Sequence, residues 1–276
     1  MQDLAVAVVG ATGAVGTEFL RIAEQRYPQL RHIKALASSR SAGKRLPFGD
    51  RELVVEEASE KSFNGIDVAF ISVSSEVSLL LGPAAVAAGA VVIDDGSAFR
   101  MRDTVPLVVP EVNGSDVEWH QGIISIPNCA TTPIVMVAHP LHQVNPVVRI
   151  VADTYQSVSG AGGAPIMELQ EQSRELLEGN AVNPQALDHQ IAFNVIPRID
   201  RFLDDGYTAE EHKMRQETQK ILHAPEIRFS STCVRVPVYV SHCAAVHMEF
   251  QRPMGPDEAR QLLQAMPGVT VLDDPA

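Results

Sequence analysis

Cys129 stands in the segment Pro-Asn-Cys-Ala-Thr-Thr-Pro at 127–133, where Pro133 suits the first turn of a helix. A thiol at a helix start is a candidate nucleophile, because the helix dipole and nearby cations favour the thiolate. Taken alone, a small buried cysteine is the commoner case. A candidate base, His242, lies far along the chain in Val-Ser-His-Cys at 240–243. Distance in sequence is no objection, since a thiol and its partner often come from separate segments. Arg235 sits between Val234 and Val236, and a charge there needs a partner if its side chain points inward. Glu210 and Lys213 are three apart on an expected helix and share a face, a spacing that serves a ligand or an ordinary surface ion pair equally well.

A second group of residues has the chemistry of a phosphate cradle. Gly10, Gly13 and Gly16 in Gly-Ala-Thr-Gly-Ala-Val-Gly follow an apolar run and precede a helical pattern. Glycines there permit a tight turn and close approach of backbone N–H groups to a pyrophosphate at a helix N-terminus. The spacing is G-x-x-G-x-x-G, so a plain strand-to-helix turn is the competing reading. The second strand ends in Ser38, Ser39, Arg40 and Ser41, with Lys44 and Arg45 beyond. That loop holds no carboxylate to grip a ribose 2′-hydroxyl, and Arg40 suits a 2′-phosphate, which favours NADP over NAD. The bland alternative is a solvated basic loop.

The elements that must position these groups follow from periodicity. Residues 4–9, 32–37, 68–71 and 91–93 are β-rich runs, and residues 15–25 have a helical period with Val15, Phe19 and Ile22 on one face. An alanine-rich helical stretch at 77–88 is interrupted by Gly82-Pro83. Strands alternating with helices predict a Rossmann-like, doubly wound parallel sheet. After Asn128 the pattern changes. Helices are expected at 131–142 and 164–177, and another opens at Thr208, where Thr208 and Glu211 have capping-box spacing. Strands are expected at 147–158, 229–240 and 246–250, and a strand-like run at 269–272. This half reads as α+β with a mixed or antiparallel sheet, giving an α/β chain of two domains, 1–128 and 129–276.

Composition sets the outer bounds. The 276 residues carry 22 basic and 34 acidic side chains, a net charge of −12 that argues against a nucleic-acid coat. An anionic substrate would therefore need arginine and lysine gathered at one site. No apolar run reaches bilayer length, and the N-terminus reads as a strand, not a signal peptide. The three cysteines, Cys129, Cys233 and Cys243, have no metal or disulfide spacing, so no metal is expected and a reducing cytoplasm is the natural home.

Gly-Ala-Thr-Gly-Ala-Val-Gly, Ser-Ser-Arg-Ser-Ala-Gly, Pro-Asn-Cys-Ala-Thr-Thr-Pro, Thr-Tyr-Gln-Ser-Val-Ser-Gly-Ala-Gly and Arg-Val-Pro-Val before a histidine occur in this order. Each is weak alone. Together they resemble the aspartate-semialdehyde dehydrogenase family through nearly the whole chain. The resemblance implies that Cys129 attacks L-aspartyl 4-phosphate and expels phosphate. NADPH then reduces the thioester to L-aspartate 4-semialdehyde, on the route to lysine, threonine, methionine and diaminopimelate. It implies His242 as general acid/base and Gln156 as orienting the acyl group. Arg235 would take the α-carboxylate and Glu210 the amino group, with Arg100, Asn128 and Lys213 on the phosphate. Gly10, Thr12, Gly13, Ala14, Val15, Gly16, Ser39, Arg40, Ser41 and Ser72 would hold the cofactor, with Ser159 and Gly160 near its nicotinamide. It also implies a homodimer formed through the second domain.

The sequence departs from the family pattern in three places. Cys243-Ala244 follow His242 where Ser-Glu is usual, Asp95-Gly96 precede Ser97-Ala98-Phe99-Arg100 where a polar Asn or Ser pair is usual, and family members continue past residue 276. The last implies an incomplete second domain and lower stability than a full-length member. The related reading is an N-acetyl-glutamyl-phosphate reductase, which Glu210 opposes because an acetylated nitrogen is not an ammonium. A third is a non-catalytic NADP-binding paralogue, which would be expected to lose the thiol or its partners.

Overall fold

A computed structural model describes residues 4–274. The chain forms two compact units, Met1–Val108 with Ser115–Pro127, and Val109–Gly114 with Asn128–Ala276.

In the first unit, the main sheet comprises β1 (Ala5–Val9), β2 (His32–Ala37), β5 (Glu56–Glu57), β6 (Val68–Ile71), β7 (Val91–Asp94) and β8 (Ile123–Ser125). Its order is β5-β2-β1-β6-β7-β8 and every pairing is parallel. The hairpin β3 (Arg45–Phe48) and β4 (Arg51–Val54) stands apart from it. Side chains of a strand alternate between faces, and β1 uses both. Val6 and Val8 join Leu20 and Ala23 of α1 (Ala14–Arg26), while Ala7 and Val9 join Leu81 and Ala85 of α2 (Ser75–Ala87). Helices on opposite faces make the sheet doubly wound, as expected, and the strand order reverses at β1. Burial of each such aliphatic side chain contributes about 1.5–3 kcal/mol.

The expected interruption at Gly82-Pro83 does not break the helix, because α2 runs through Pro83. Proline forfeits one backbone bond there, while Gly82 admits the Phe99 ring to where a Cβ would lie 3.3 Å away.

The second unit contains α3 (Pro110–Asn113), α4 (Thr131–Val144), β9 (Val147–Gln156), α5 (Gly163–Leu177), α6 (Ala209–Ile221), β10 (Arg228–Arg235), β11 (His242–Phe250) and α7 (Pro256–Gln264). Its sheet is mixed, in the order β10-β9-β11, with β10 parallel and β11 antiparallel to β9. α6 packs on β10, and α4 packs on β9, β11 and α6. The opposite sheet face is open, with Arg149, Tyr155, Arg228, Cys243 and Glu249 exposed.

Three expected strands end differently. β9 stops at Gln156, and Val158–Ala161 forms a 3₁₀ turn whose Val158 and Ser159 N–H groups bond to the carbonyls of Val238 and Tyr239. β10 stops at Arg235, since Pro237 has no N–H for a ladder and Ser241 takes a φ of 78°. Residues 269–272 form no strand, and no neighbouring strand pairs with them among the described residues.

Candidate active site

Strand register brings three of the expected side chains together. Gln156 of β9 is paired with Arg235 of β10 and with His242 of β11, so one rung at the sheet end carries all three on the helix-covered face. Arg235 and Gln156 are buried and His242 is half-buried.

The thiol comes from the loop before α4. Asn128 shapes that loop: its Oδ1 accepts from Ala130 N–H (2.8 Å), and its carbonyl accepts from Thr131 and Thr132 N–H. Its own N–H donates to Glu217 Oε2 (2.7 Å), and its Nδ2 donates to Glu210 Oε1 (2.8 Å). This buried anchoring sets exposed Cys129 with Sγ 3.2 Å from His242 Nε2. Cys233 is fully buried against the Met214 sulfur, and burial pushes its thiol up to about 12, so it is inert at neutral pH.

Arg235 is a buried cation whose bonding stays open. Its one side-chain hydrogen bond runs from Nη1 to the Ser157 carbonyl (2.8 Å), and among the described residues it has no ion-pair partner. Burial pulls its pKa below the usual value, with Glu210 and both thiols Cys129 and Cys233 opposing. It remains a cation at any working pH. It lines a cavity of about 490 Å³ together with Arg198, Arg201, Asp200, Ile196 and Ala161. A guanidinium with free donors facing such a space suits a carboxylate ligand.

Glu210 is buried and already occupied, by Asn128 Nδ2 and, more weakly, by Gln156 Nε2 (3.5 Å) and Lys213 Nζ (3.4 Å). Lys213 donates a shorter bond to Asp200 Oδ2 (2.7 Å). Burial works against the Lys213 charge, but Asp200 and Glu210 outweigh it and raise its pKa. His242 goes the other way. Burial lowers its pKa and Arg235 adds to this, against a hydrogen-bonding contribution from Ser241 and the charge of Glu210.

The phosphate-cradle residues lie in the first unit. Gly10 has a φ of 87°, and a Cβ there would stand 2.1 Å from the Ser72 carbonyl oxygen; one at Gly16 would stand 2.2 Å from the Gly10 carbonyl oxygen. Only glycine fits either place. Thr12 Oγ1 donates to Ser41 Oγ (3.3 Å), tying this turn to the loop after β2. A cavity of about 1020 Å³ opens over the turn, reaching Gly10, Thr12, Gly13, Ser39, Arg40 and Ser72. Ala14 and Val15 begin α1 beside it. Arg40 is exposed and forms no ion pair among the described residues. One correction arises here. Register sets Glu57 of β5 beside Ala37, so a carboxylate does line the cavity at the end of β2, although the loop itself has none. A two-residue edge strand gives no periodic signal, which is why the loop residues alone did not reveal it.

Arg100, also in the first unit, is buried, with Nε on the Ile126 carbonyl (2.9 Å) and Nη2 on the Asp95 carbonyl (2.7 Å).

The chain matches two family descriptions, "Semialdehyde dehydrogenase, NAD binding domain" over residues 5–120 and "Semialdehyde dehydrogenase, dimerisation domain" over residues 139–276. It is 44% identical to the aspartate-semialdehyde dehydrogenase of Bacillus subtilis over 283 aligned residues, covering all of this chain and 82% of that one. This chain belongs to the aspartate-semialdehyde dehydrogenase family. Aspartate semialdehyde dehydrogenase II of Vibrio cholerae, solved in complex with ASA, aligns with a TM-score of 0.94 and 41% identity, over 97% of this chain and 80% of that one. The Candida albicans aspartate semialdehyde dehydrogenase solved with NADP aligns with a TM-score of 0.73 and 26% identity, over 95% of this chain and 76% of that one.

Two further residues, Glu217 and Ser157, have a part in the site. Glu217, which receives the Asn128 N–H, lies seven residues beyond Glu210 on the same helix face, and that spacing could have marked it. Ser157 contacts His242 Nδ1 through its backbone N–H (3.1 Å) and its hydroxyl (3.2 Å). Among the described residues, no group of three His, Cys, Asp or Glu side chains could hold a metal ion, and no helix is long and apolar enough to cross a membrane.

Proposed function

We propose that the protein is a phosphorylating aspartate-semialdehyde dehydrogenase, reducing L-aspartyl 4-phosphate to L-aspartate 4-semialdehyde with NADPH in the cytoplasm. The observation that carries this reading is the 3.2 Å contact between Cys129 Sγ and His242 Nε2, beside the open cation Arg235. In the first step the Cys129 sulfur attacks the acyl carbon, the sulfur–carbon bond forms, and the carbon–oxygen bond breaks with its electron pair leaving on phosphate. Bound NADPH supplies hydride to the thioester carbon. The resulting tetrahedral adduct on Cys129 collapses to the aldehyde and returns the thiolate. The whole reaction takes up one proton, which is carried off on the phosphate.

Arg235 holds the α-carboxylate and Gln156 orients the acyl group. Glu210 receives the substrate ammonium in exchange for its weaker contacts to Gln156 and Lys213. Lys213, Asn128 and Arg100 are assigned to the phosphate, and Ser159 and Gly160 to the nicotinamide end. The turn at Gly10, Gly13 and Gly16, with Thr12, Ala14, Val15, Ser39, Ser41 and Ser72, holds the dinucleotide. Its fit rests on the glycine cradle, where a Cβ would collide, and on the large cavity above it. The unpaired Arg40 favours NADP, with Glu57 as the opposing influence. The division of labour in this reading is 1–128 for cofactor and 129–276 for chemistry and dimer contact.

The test is phosphate-dependent reduction of NADP⁺ by L-aspartate 4-semialdehyde, followed at the nicotinamide absorbance. Activity in the native protein that disappears in Cys129→Ala is expected. Absence of activity with either NADP⁺ or NAD⁺ in folded protein would overturn the reading.

A further inference from the structure

We propose that Glu168 is a positioning residue for the carboxylate end of the substrate, pinning the long loop between α5 and α6 as a strap around the cavity that Arg235 lines. Between Leu177 and Ala209 the chain forms no helix or strand. A connection so far beyond the roughly 12–15 residues usual for structureless loops is commonly functional, and its buried N–H groups must find acceptors outside a ladder. Two side chains of α5 supply them. Glu168 Oε1 accepts from Gln185 N–H (2.9 Å), and its Oε2 accepts from Ala186 N–H (2.5 Å) and Leu187 N–H (3.1 Å). One turn on, Gln172 Oε1 accepts from Ile191 N–H (2.9 Å) and Ala192 N–H (3.1 Å), and its Nε2 donates to Glu168 Oε1 (2.8 Å). Both side chains are buried. The same loop packs Ile191, Ala192 and Ile196 against Leu169 of α5 and Val158.

The far end of the strap is tied to Arg235 itself. Ile196 N–H donates to the Arg235 carbonyl (2.9 Å), and Arg235 N–H donates to the Ile196 carbonyl (2.8 Å). Phe193 (φ 57°) and Asp200 (φ 68°) are non-glycine residues in the left-handed region, a conformation kept only where the surroundings hold it. Ala186, Leu187 and Asp188 from the pinned end, with Arg198, Asp200 and Arg201 from beyond Ile196, line the cavity of about 490 Å³ together with Arg235. An ion pair between Asp188 and Arg198 joins the two ends. Glu168 touches none of the reacting groups, yet three consecutive N–H groups on its carboxylate fix where this wall stands. A carboxylate held by Arg235 is bound in ground state and transition state alike. A displaced wall should therefore weaken binding without slowing bond-making at Cys129.

The inference rests on the proposed dehydrogenase reading, with Arg235 as the site of the substrate carboxylate. Glu168→Gln keeps the side-chain shape and one oxygen but sets an NH₂ group against the loop N–H groups. KM for L-aspartate 4-semialdehyde is expected to rise about tenfold, with kcat within about twofold of native and KM for NADP⁺ unchanged. In a Cys129→Ala background, where no covalent step occurs, Glu168→Gln should weaken the dissociation constant for the same aldehyde by a similar factor. A residue serving only the fold would lower the thermal midpoint and leave both constants in place. Weakened binding in a protein without turnover would remove the dehydrogenase reading and keep this one. Turnover with an unchanged KM in folded Glu168→Gln protein would overturn this one and keep the other, and no binding in the Cys129→Ala background would overturn both. If Glu168→Gln misfolds, hydrogen exchange in the native protein decides. The amides of Gln185, Ala186, Leu187, Ile191 and Ala192 should be protected although they lie outside any helix or strand, and the aldehyde should protect them further. Unprotected amides, or protection that the aldehyde leaves unchanged, would overturn the proposal.

Discussion

Gly160 shows how little room surrounds the groups proposed to react. Its backbone needs no left-handed freedom; what excludes a side chain is the Arg235 Nη1 atom, 3.0 Å from where a Cβ would stand, and the His242 ring 3.2 Å away. Gly160→Ala is therefore expected to displace the catalytic rung and not the fold. Turnover should fall by about tenfold or more, while the thermal midpoint moves by only a few degrees, since a misplacement of tenths of an ångström weighs far more on catalysis than on packing. His242 gives a pH prediction of definite sign. Its folded pKa lies below the ordinary 6.5, so as acid is added the unfolded chain takes up this proton first. Stability is then fully present above the unfolded value and declines as pH falls through the window beneath it. Denaturant midpoints from about pH 8 to about pH 5 should show this decline, and His242→Gln should flatten it. Cys129, Gln156, Arg235 and His242 were legible in the sequence because their types and motif order are distinctive. Ser157 was not, because its part depends on where a backbone N–H points, which only the register of β9 against β11 decides.

At the scale of elements, α6 carries Glu210, Lys213 and Glu217 on one face, and a capping box fixes where that face begins. Thr208 Oγ1 accepts from Glu211 N–H (3.3 Å) while Glu211 Oε2 accepts from Thr208 N–H (2.7 Å). The other oxygen of Glu211 accepts from Cys233 N–H on β10 (3.1 Å), so one carboxylate caps the helix and docks it to the sheet. Thr208→Ala should cost about 1 kcal/mol, and Glu211→Ala about 2 kcal/mol, because it leaves two N–H groups without their acceptor. Both are measurable as shifts in denaturant midpoint, and Glu211→Ala should also raise KM by loosening Glu210 and Lys213. The sequence revealed this box, since Thr208 and Glu211 have the right spacing. It overstated the strands at 229–240 and 269–272, where β-branched content continued past the end of pairing. Pro237 stops the first, and the second has no partner strand to complete it. Local composition shows that a segment tolerates extension, but not that a neighbour exists to pair with it.

For the whole molecule, the open face of the second unit's sheet is the proposed contact with a second copy, consistent with the dimerisation domain matched there. Alternation puts Val234, Tyr155 and Cys243 on that face, one rung inward from Arg235, Gln156 and His242. Tyr155 is 48% exposed, and farther along the face Glu249 pairs with Arg149 and Arg228. A net charge of −12 on each copy opposes association, so the contact must rely on local apolar burial and on such compensated pairs. Tyr155→Glu inserts an uncompensated charge at the centre of the rung next to the last while leaving the helix-covered face intact. It should convert a dimer to a monomer in sedimentation velocity. Because the adjoining rung would lose its support, turnover should fall several-fold while the rate of Cys129 alkylation, set locally by His242, stays near native. A monomeric Tyr155→Glu protein with full turnover would separate assembly from catalysis, and a native protein already monomeric at micromolar concentration would remove this face as the contact.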